Sequence, residues 1–315
     1  MTSLAVTQPA VEGSIVRNCP GTKHHVCCGY KTIDIVEGCV LSCSYCILKA
    51  YLGNAPIKVH TKIADVIRQI DEEIEANPSQ TLRFGTGELS DSLALDRKLR
   101  LNQPIMEYFG GKKKAILELK SKWASLDHLL PSLNPYTVVS FSLNPPAFIE
   151  KEEKKTSPFH KRLKALRKVQ DRGSFIGIHF DPVVIYAGFE RDYEYVMEDV
   201  CRVLDLKRVL WVSMGLLRFT PNLYRLLLED RRPLLLQGEF IRGEDGKYRY
   251  LKKERVRVYR MLYEMLKSRE PDLFIYFCME RPDVWEEVTG LPVRESKDLI
   301  SLFDARIRQF YGGVL

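Results

Sequence analysis

Short β-branched or aromatic runs alternate with amphipathic stretches of helical period along most of this 315-residue chain. The strand candidates lie at 32–36, 81–85, 115–119, 137–142, 175–180 and 208–213. They are short and apolar, as strands covered on both faces must be. Helical patterns separate them at 61–77, 159–171, 192–204 and 220–228. In the first of these, Ile63, Val66, Ile67, Ile70 and Ile74 line one face. Strand–helix alternation builds right-handed βαβ units on a parallel sheet. Six units are too few for a closed eight-fold barrel, so the expected fold is α/β, a partial (β/α)6 TIM-type barrel of parallel strands. After residue 231 the pattern changes to a polar, turn-rich segment (238–250), a charged helix (251–268), a seventh apolar strand (273–279) and a terminal helix (294–311). The expected organisation is an N-terminal cysteine-containing extension (1–31), a barrel core (32–231) and a small C-terminal appendage (232–315) packed on the core.

Composition bounds what such a chain can do. The longest apolar run, 273–279, is far below the roughly 20 residues that a membrane span requires. The N-terminus lacks the basic start and apolar centre of a secretory signal, so a cytoplasmic protein is expected. A net charge of +7, from 48 Lys and Arg against 41 Asp and Glu, is compatible with nucleic-acid binding without arguing for it. The local basic clusters, at 112–114 and 252–257, read as solvated faces.

Cysteine placement carries the chemistry. Six of eight cysteines fall within 19–46, and three of them form the run Gly38-Cys39-Val40-Leu41-Ser42-Cys43-Ser44-Tyr45-Cys46 directly after the first strand. Spacings of three and two gather three sulfurs around one centre when the backbone wraps it as a loop. Loops at the C-terminal ends of parallel strands are where such folds place their sites. Thiolates suit zinc and iron–sulfur clusters alike. Zinc would need a fourth ligand from His24, His25, Cys27 or Cys28. The spacing C-x3-C-x2-C with Tyr45 before the third cysteine resembles the 4Fe-4S cluster motif of radical S-adenosylmethionine (SAM) enzymes. The remaining segment Cys19-Pro20-Gly21-Thr22-Lys23-His24-His25-Val26-Cys27-Cys28 is dense in ligand types, but its irregular spacing assigns no metal. Cys201 and Cys278 read as buried small hydrophobes.

Further blocks sharpen the resemblance. GCVLSCSYCILKAYLGNAPIKVH, RFGTGELSDSLALD, SKWASLDHLL, VSFSLNP and VSMGLLRFTP follow in order through 38–221. Together they make the chain similar to the spore photoproduct lyase family of the radical SAM superfamily. The resemblance implies that Cys39, Cys43 and Cys46 bind a 4Fe-4S cluster. It implies that Ser90, Lys122 and Ser142 contact SAM, Lys122 at the carboxylate. Glu88, at the end of Gly85-Thr86-Gly87-Glu88, resembles the acid that takes the SAM ammonium in many superfamily members. Taken alone, Ser90 could cap a helix over 91–99, Lys122 could be a solvated lysine, and Ser142 could be a turn residue.

Two positions depart from the family pattern. Glu88 stands where the lyase carries its hydrogen-donating thiol, and Ile47 stands where it carries a tyrosine. The expected function is therefore an enzyme that reductively cleaves SAM to a 5′-deoxyadenosyl radical and abstracts hydrogen from a substrate the sequence does not name. The implied partner is a reductant such as flavodoxin or ferredoxin. The alternatives are a DNA-repair lyase acting on a thymine photoproduct, and a non-catalytic zinc-bound scaffold or nucleic-acid-binding module.

Overall fold

The computed structural model describes residues 14–53, 55–111 and 115–312. The basic cluster at 112–114 lies outside the described residues, as does the start of the N-terminal extension. Eight strands form one sheet in the order of the sequence: β1 (Val16–Asn18), β2 (Lys31–Ile33), β3 (Leu82–Gly85), β4 (Ala115–Ser121), β5 (Thr137–Ser142), β6 (Ile176–Val183), β7 (Val209–Leu216) and β8 (Ile275–Phe277). β1 pairs antiparallel with β2; every later pairing is parallel. The sheet curls into an open half-barrel. Every residue of β5 and β7 is buried, as the apolar runs required.

The helix Phe159–Asp171 occupies its expected span, and Ile63–Ala76, Phe189–Val203 and Pro221–Glu229 lie close to theirs. Helices Asn102–Gly110 and Pro146–Glu152 were not anticipated: the first carries too few polar residues for a clear period, and the second is too short for one. Between β4 and β5 the described connection is a 3₁₀ turn, Leu130–Ser132, rather than a full helix.

The sheet has seven parallel strands where six were expected in the barrel. The apolar run assigned to the appendage supplies the seventh, with Val212, Ser213 and Met214 of β7 opposite Ile275, Tyr276 and Phe277. Leu273 and Phe277 are fully buried, so this segment can leave water only by joining the sheet. The segment 238–250 is a β-hairpin, Phe240–Arg242 with Tyr248–Tyr250, whose outer strand partner is Arg218–Phe219. Its aromatic residues stack among Phe219 and Tyr224, which the flanking charges obscured in the sequence. Among the described residues, no helix is long and apolar enough to cross a membrane.

Candidate active site

The cysteine loop leaves β2 through Val36–Glu37, which pairs with Lys58–Val59. Gly38 turns the chain with φ of 100°, a conformation that glycine adopts without penalty. Its N–H donates to the Leu89 carbonyl at 2.9 Å, and the Ser90 hydroxyl donates to the Gly38 carbonyl at 2.8 Å. The base of the loop is thus tied to the chain that follows β3. Farther on, Ser42–Cys43 pairs antiparallel with Glu153–Lys154, and the Ser44 N–H donates to the Glu152 carbonyl at 2.8 Å. Cys39, Cys43 and Cys46 are thereby held on one loop above the strand ends.

A buried polar brace supports this loop. Tyr45 stacks on Phe148 with centroids 5.9 Å apart, and its hydroxyl donates to Glu153. Glu153 forms a fully buried ion pair with Arg162 at 2.6 Å and accepts from Asn144 at 2.8 Å. Burial pushes the Glu153 pKa up, but Arg162, Lys122 and the hydrogen bonds outweigh it, so the carboxyl lies below its ordinary range. Arg162 also donates to the Ser142 carbonyl at 2.8 Å, linking the brace to β5.

Lys122 leaves β4 beside the loop. Its N–H donates to Asp91 at 2.7 Å, and its ammonium donates to the Ser142 hydroxyl at 3.0 Å. The ammonium lies 5.9 Å from the Tyr45 ring centroid. Among the described residues, no carboxylate forms an ion pair with it within 4.0 Å. Burial, reinforced by Asp91, pushes the Cys39 thiol up to about 12; burial and Glu153 push Cys43 up as well. Lys122 works in the opposite direction on both, favouring thiolate. The structure therefore brings together Cys39, Cys43, Cys46, Lys122 and Ser142.

Ser90 does not cap a helix over 91–99. Its hydroxyl is spent on Gly38, while Asp91 accepts from the N–H groups of Leu93 and Ala94 at 3.0 and 2.9 Å. The helix here is only Asp96–Leu99. Asp91 also accepts from the Ser121 hydroxyl at 2.7 Å, so it organises both strand ends. Glu88 lies close enough to Lys120 to act on its charge. Burial would lower the Lys120 pKa, but Glu88, Glu118 and Asp181 together raise it. The glycines before Glu88 permit close approach: a Cβ on Gly87 would lie 2.9 Å from the Lys120 carbonyl, and one on Gly85 would lie 1.5 Å from the Tyr30 hydroxyl.

Beneath these residues runs a polar cluster that sequence reading did not detect. Glu118 accepts from His179 at 2.7 Å and Trp211 at 3.0 Å, as well as from Ser140. Burial opposes its charge, yet His179 and the hydrogen bonds carry its pKa down to about 2. Asp181 pairs with Arg218 at 3.2 Å, and Arg218 reaches the Cys278 sulfur at 3.6 Å. The only sequence signal was an acid or a histidine inside otherwise apolar strands. The basic run 252–257 starts a helix, and there Lys252 and Arg257 pair with Asp283, Glu287, Glu190 and Glu254. Among the described residues, no three His, Cys, Asp or Glu side chains gather closely enough for a single metal ion.

A family model described as spore photoproduct lyase matches residues 25–276. Spore photoproduct lyases from Bacillus subtilis and a Geobacillus species are 28% and 29% identical over 69% and 64% of this chain. A third, from Clostridium acetobutylicum, is 27% identical over 53%. The chain spans 50–65% of the length of these relatives. Among solved structures, a spore photoproduct lyase double mutant with bound AdoMet and dinucleoside spore photoproduct matches with a TM-score of 0.71 at 27% identity, over 78% of this chain and 76% of that one. The lyase complexed with dinucleoside spore photoproduct matches with a TM-score of 0.71 at 25% identity, over 88% and 80%. SuiB of Streptococcus suis, at 14% identity and a TM-score of 0.53, shares the fold.

Proposed function

Because the chain belongs to the spore photoproduct lyase family, we propose that it is a radical SAM enzyme whose substrate class is a thymine photoproduct of DNA. The observation that carries this reading is the placement of three soft thiols on one loop beside an ammonium that, among the described residues, forms no carboxylate ion pair within 4.0 Å, at the mouth of a half-barrel. The donor set fits an iron–sulfur cluster, since three thiols spaced C-x3-C-x2-C on one loop present soft ligands to separate irons of one cube. Cys39, Cys43 and Cys46 would hold that cluster, releasing their protons on binding. When bound, the cluster and SAM supply a 5′-deoxyadenosyl radical for hydrogen abstraction. Lys122 would take the SAM carboxylate by a charge-assisted hydrogen bond, Ser142 would offer a hydroxyl contact, Ser90 would offer only the lone pairs left by its bond to Gly38, and Glu88 would take the ammonium. A flavodoxin- or ferredoxin-type reductant would supply the electron.

The relatives favour the photoproduct over an unnamed substrate. Their names state the lyase activity, and the solved complexes hold the dinucleoside. Glu88 and Ile47 cannot return a hydrogen atom as a thiol or phenol does. Cys278 is one thiol whose surroundings overlap with those of Glu88, since both groups act on Lys120. A related reaction on a different substrate is the second reading, and Glu88 is the observation that favours it.

The test is anaerobic. Reconstituted protein is reduced with dithionite and given SAM and the dinucleoside photoproduct, and thymine product and 5′-deoxyadenosine are both quantified. The proposal expects both, with thymine formation lost in Cys278→Ala while deoxyadenosine persists. Deoxyadenosine without thymine in the unmodified protein moves the assignment to the second reading.

A further inference from the structure

The cysteines of the N-terminal segment take no part in the site above, yet the fold gathers them. The stretch from Cys19 to Tyr30 crosses from the β1 edge of the half-barrel to its far edge at β8. The Val26 N–H donates to the Glu280 carbonyl just beyond β8 at 2.9 Å, and the Cys27 N–H donates to the Ser296 hydroxyl of the terminal helix at 3.0 Å. Thr22 donates to Asp245 of the hairpin at 3.1 Å. The segment therefore straps the gap between the sheet's two edges. Within the strap the chain doubles back. The Cys19 N–H donates to the Tyr30 carbonyl at 2.8 Å, and a Cβ on Gly21 would lie 3.7 Å from both the Cβ and the sulfur of Cys27. This return sets the Cys27 sulfur against the turn at Gly21 and close to the thiols of Cys19 and Cys28.

The three thiols differ in surroundings. Cys28 lies against the Arg83 guanidinium and near Tyr276, and its carbonyl accepts from Arg83. Cys19 and Cys27 are both half-buried and free. A vicinal Cys27–Cys28 disulfide would force an eight-membered ring on a backbone that is already pinned at Val26 and Cys27. Cys19 and Cys27 come together across a loop and carry no such restriction.

We propose that Cys19 and Cys27 form a thiol–disulfide exchange site whose substrates are low-molecular-weight disulfides. Cys19 attacks one sulfur of the external disulfide, forming a mixed disulfide and releasing one small thiol. Cys27 then attacks the Cys19 sulfur, closing the Cys19–Cys27 bond and releasing the second small thiol. The two cysteine sulfurs are oxidised, the external disulfide is reduced, and both cysteine protons leave on the products. Cys28 stays a thiol. The product is a loop closed within the strap, reopened by excess small thiol. This site stands apart from the proposed lyase chemistry and does not depend on it.

The test uses the full-length protein with its cluster reconstituted, held anaerobically with oxidised glutathione, quenched with an alkylating reagent and digested for peptide mass analysis. The expected result is a linked Cys19–Cys27 peptide that disappears on adding dithiothreitol. Cys27→Ser should instead trap glutathione on Cys19, and Cys28→Ser should still form the link. In a glutathione redox buffer the equilibrium constant for the link should be at least about tenfold larger in native protein than in urea, because the fold holds the thiols together. Alkylated, unlinked Cys19 and Cys27 would overturn the proposal. So would a dominant Cys27–Cys28 link, or an equal equilibrium constant in urea. Stoichiometric zinc uptake that Cys19→Ser abolishes would overturn it in favour of a metal site.

Discussion

Lys122 holds the charge balance of the candidate site. Its ammonium favours the thiolate forms of Cys39 and Cys43 and the ionised form of Glu153, and its hydrogen bond goes to a hydroxyl rather than to an acid. That arrangement leaves positive charge for an incoming carboxylate. Lys122→Ala should weaken SAM binding by about 1.5–3 kcal/mol, the worth of a charge-assisted hydrogen bond, measured by titration calorimetry on anaerobic protein. An unchanged affinity in a folded variant would remove Lys122 from the SAM contacts. Cys43→Ala should reduce iron content to near zero, whereas Cys19→Ala should retain it near the unmodified level, because Cys19 sits in the strap and not in the loop. Equal loss in both would refute the ligand assignment. The loop cysteines were readable from spacing. Asp91 and Glu153 were not, because their partners, Lys122 and Tyr45, lie far away in sequence.

At the scale of elements, Glu118 joins four adjacent strands through one carboxylate, accepting from Ser140 of β5, His179 of β6 and Trp211 of β7. Its folded pKa is near 2, against an unfolded value of about 4.3. A depressed carboxylate stabilises the fold fully above the unfolded value and loses that contribution as pH falls through the folded one. Urea midpoints should therefore drop between about pH 4.5 and pH 2, and Glu118→Gln should flatten part of that slope while lowering stability at pH 7. Asp245, also held near 2 by its Arg249 pair against the opposing effect of burial, adds to the same window, so the variant should leave a residual slope. A slope unchanged by Glu118→Gln would show that this carboxylate does not drive acid sensitivity. Strand existence was legible because runs covered on both faces must be apolar. The acid within β4 breaks that rule, but the network it belongs to could not be read without the register that aligns β4 to β7.

For the whole molecule, the C-terminal helix completes the sheet. Arg306 donates to the Leu210 and Val209 carbonyls at 3.1 and 3.0 Å and to the Asp272 carbonyl at 3.2 Å, joining the last helix to β7 and to the approach to β8. Arg306→Met should lower the unfolding free energy by about 3 kcal/mol in urea titration, since buried carbonyls lose a charged donor. A midpoint within error of the unmodified protein would mean that apolar packing alone seats this helix. Local chemistry and period were set by the sequence alone: cysteine spacing defined the loop, and alternating apolar runs defined the parallel α/β class, because both signals reside in neighbouring residues. Only the tertiary structure decided that Ile275–Phe277 is the seventh parallel strand, that 238–250 is a hairpin, that Ser90 serves Gly38, and that Cys19 meets Cys27. Each of these outcomes depends on which surfaces bury one another, and the curl of the sheet brings those surfaces together.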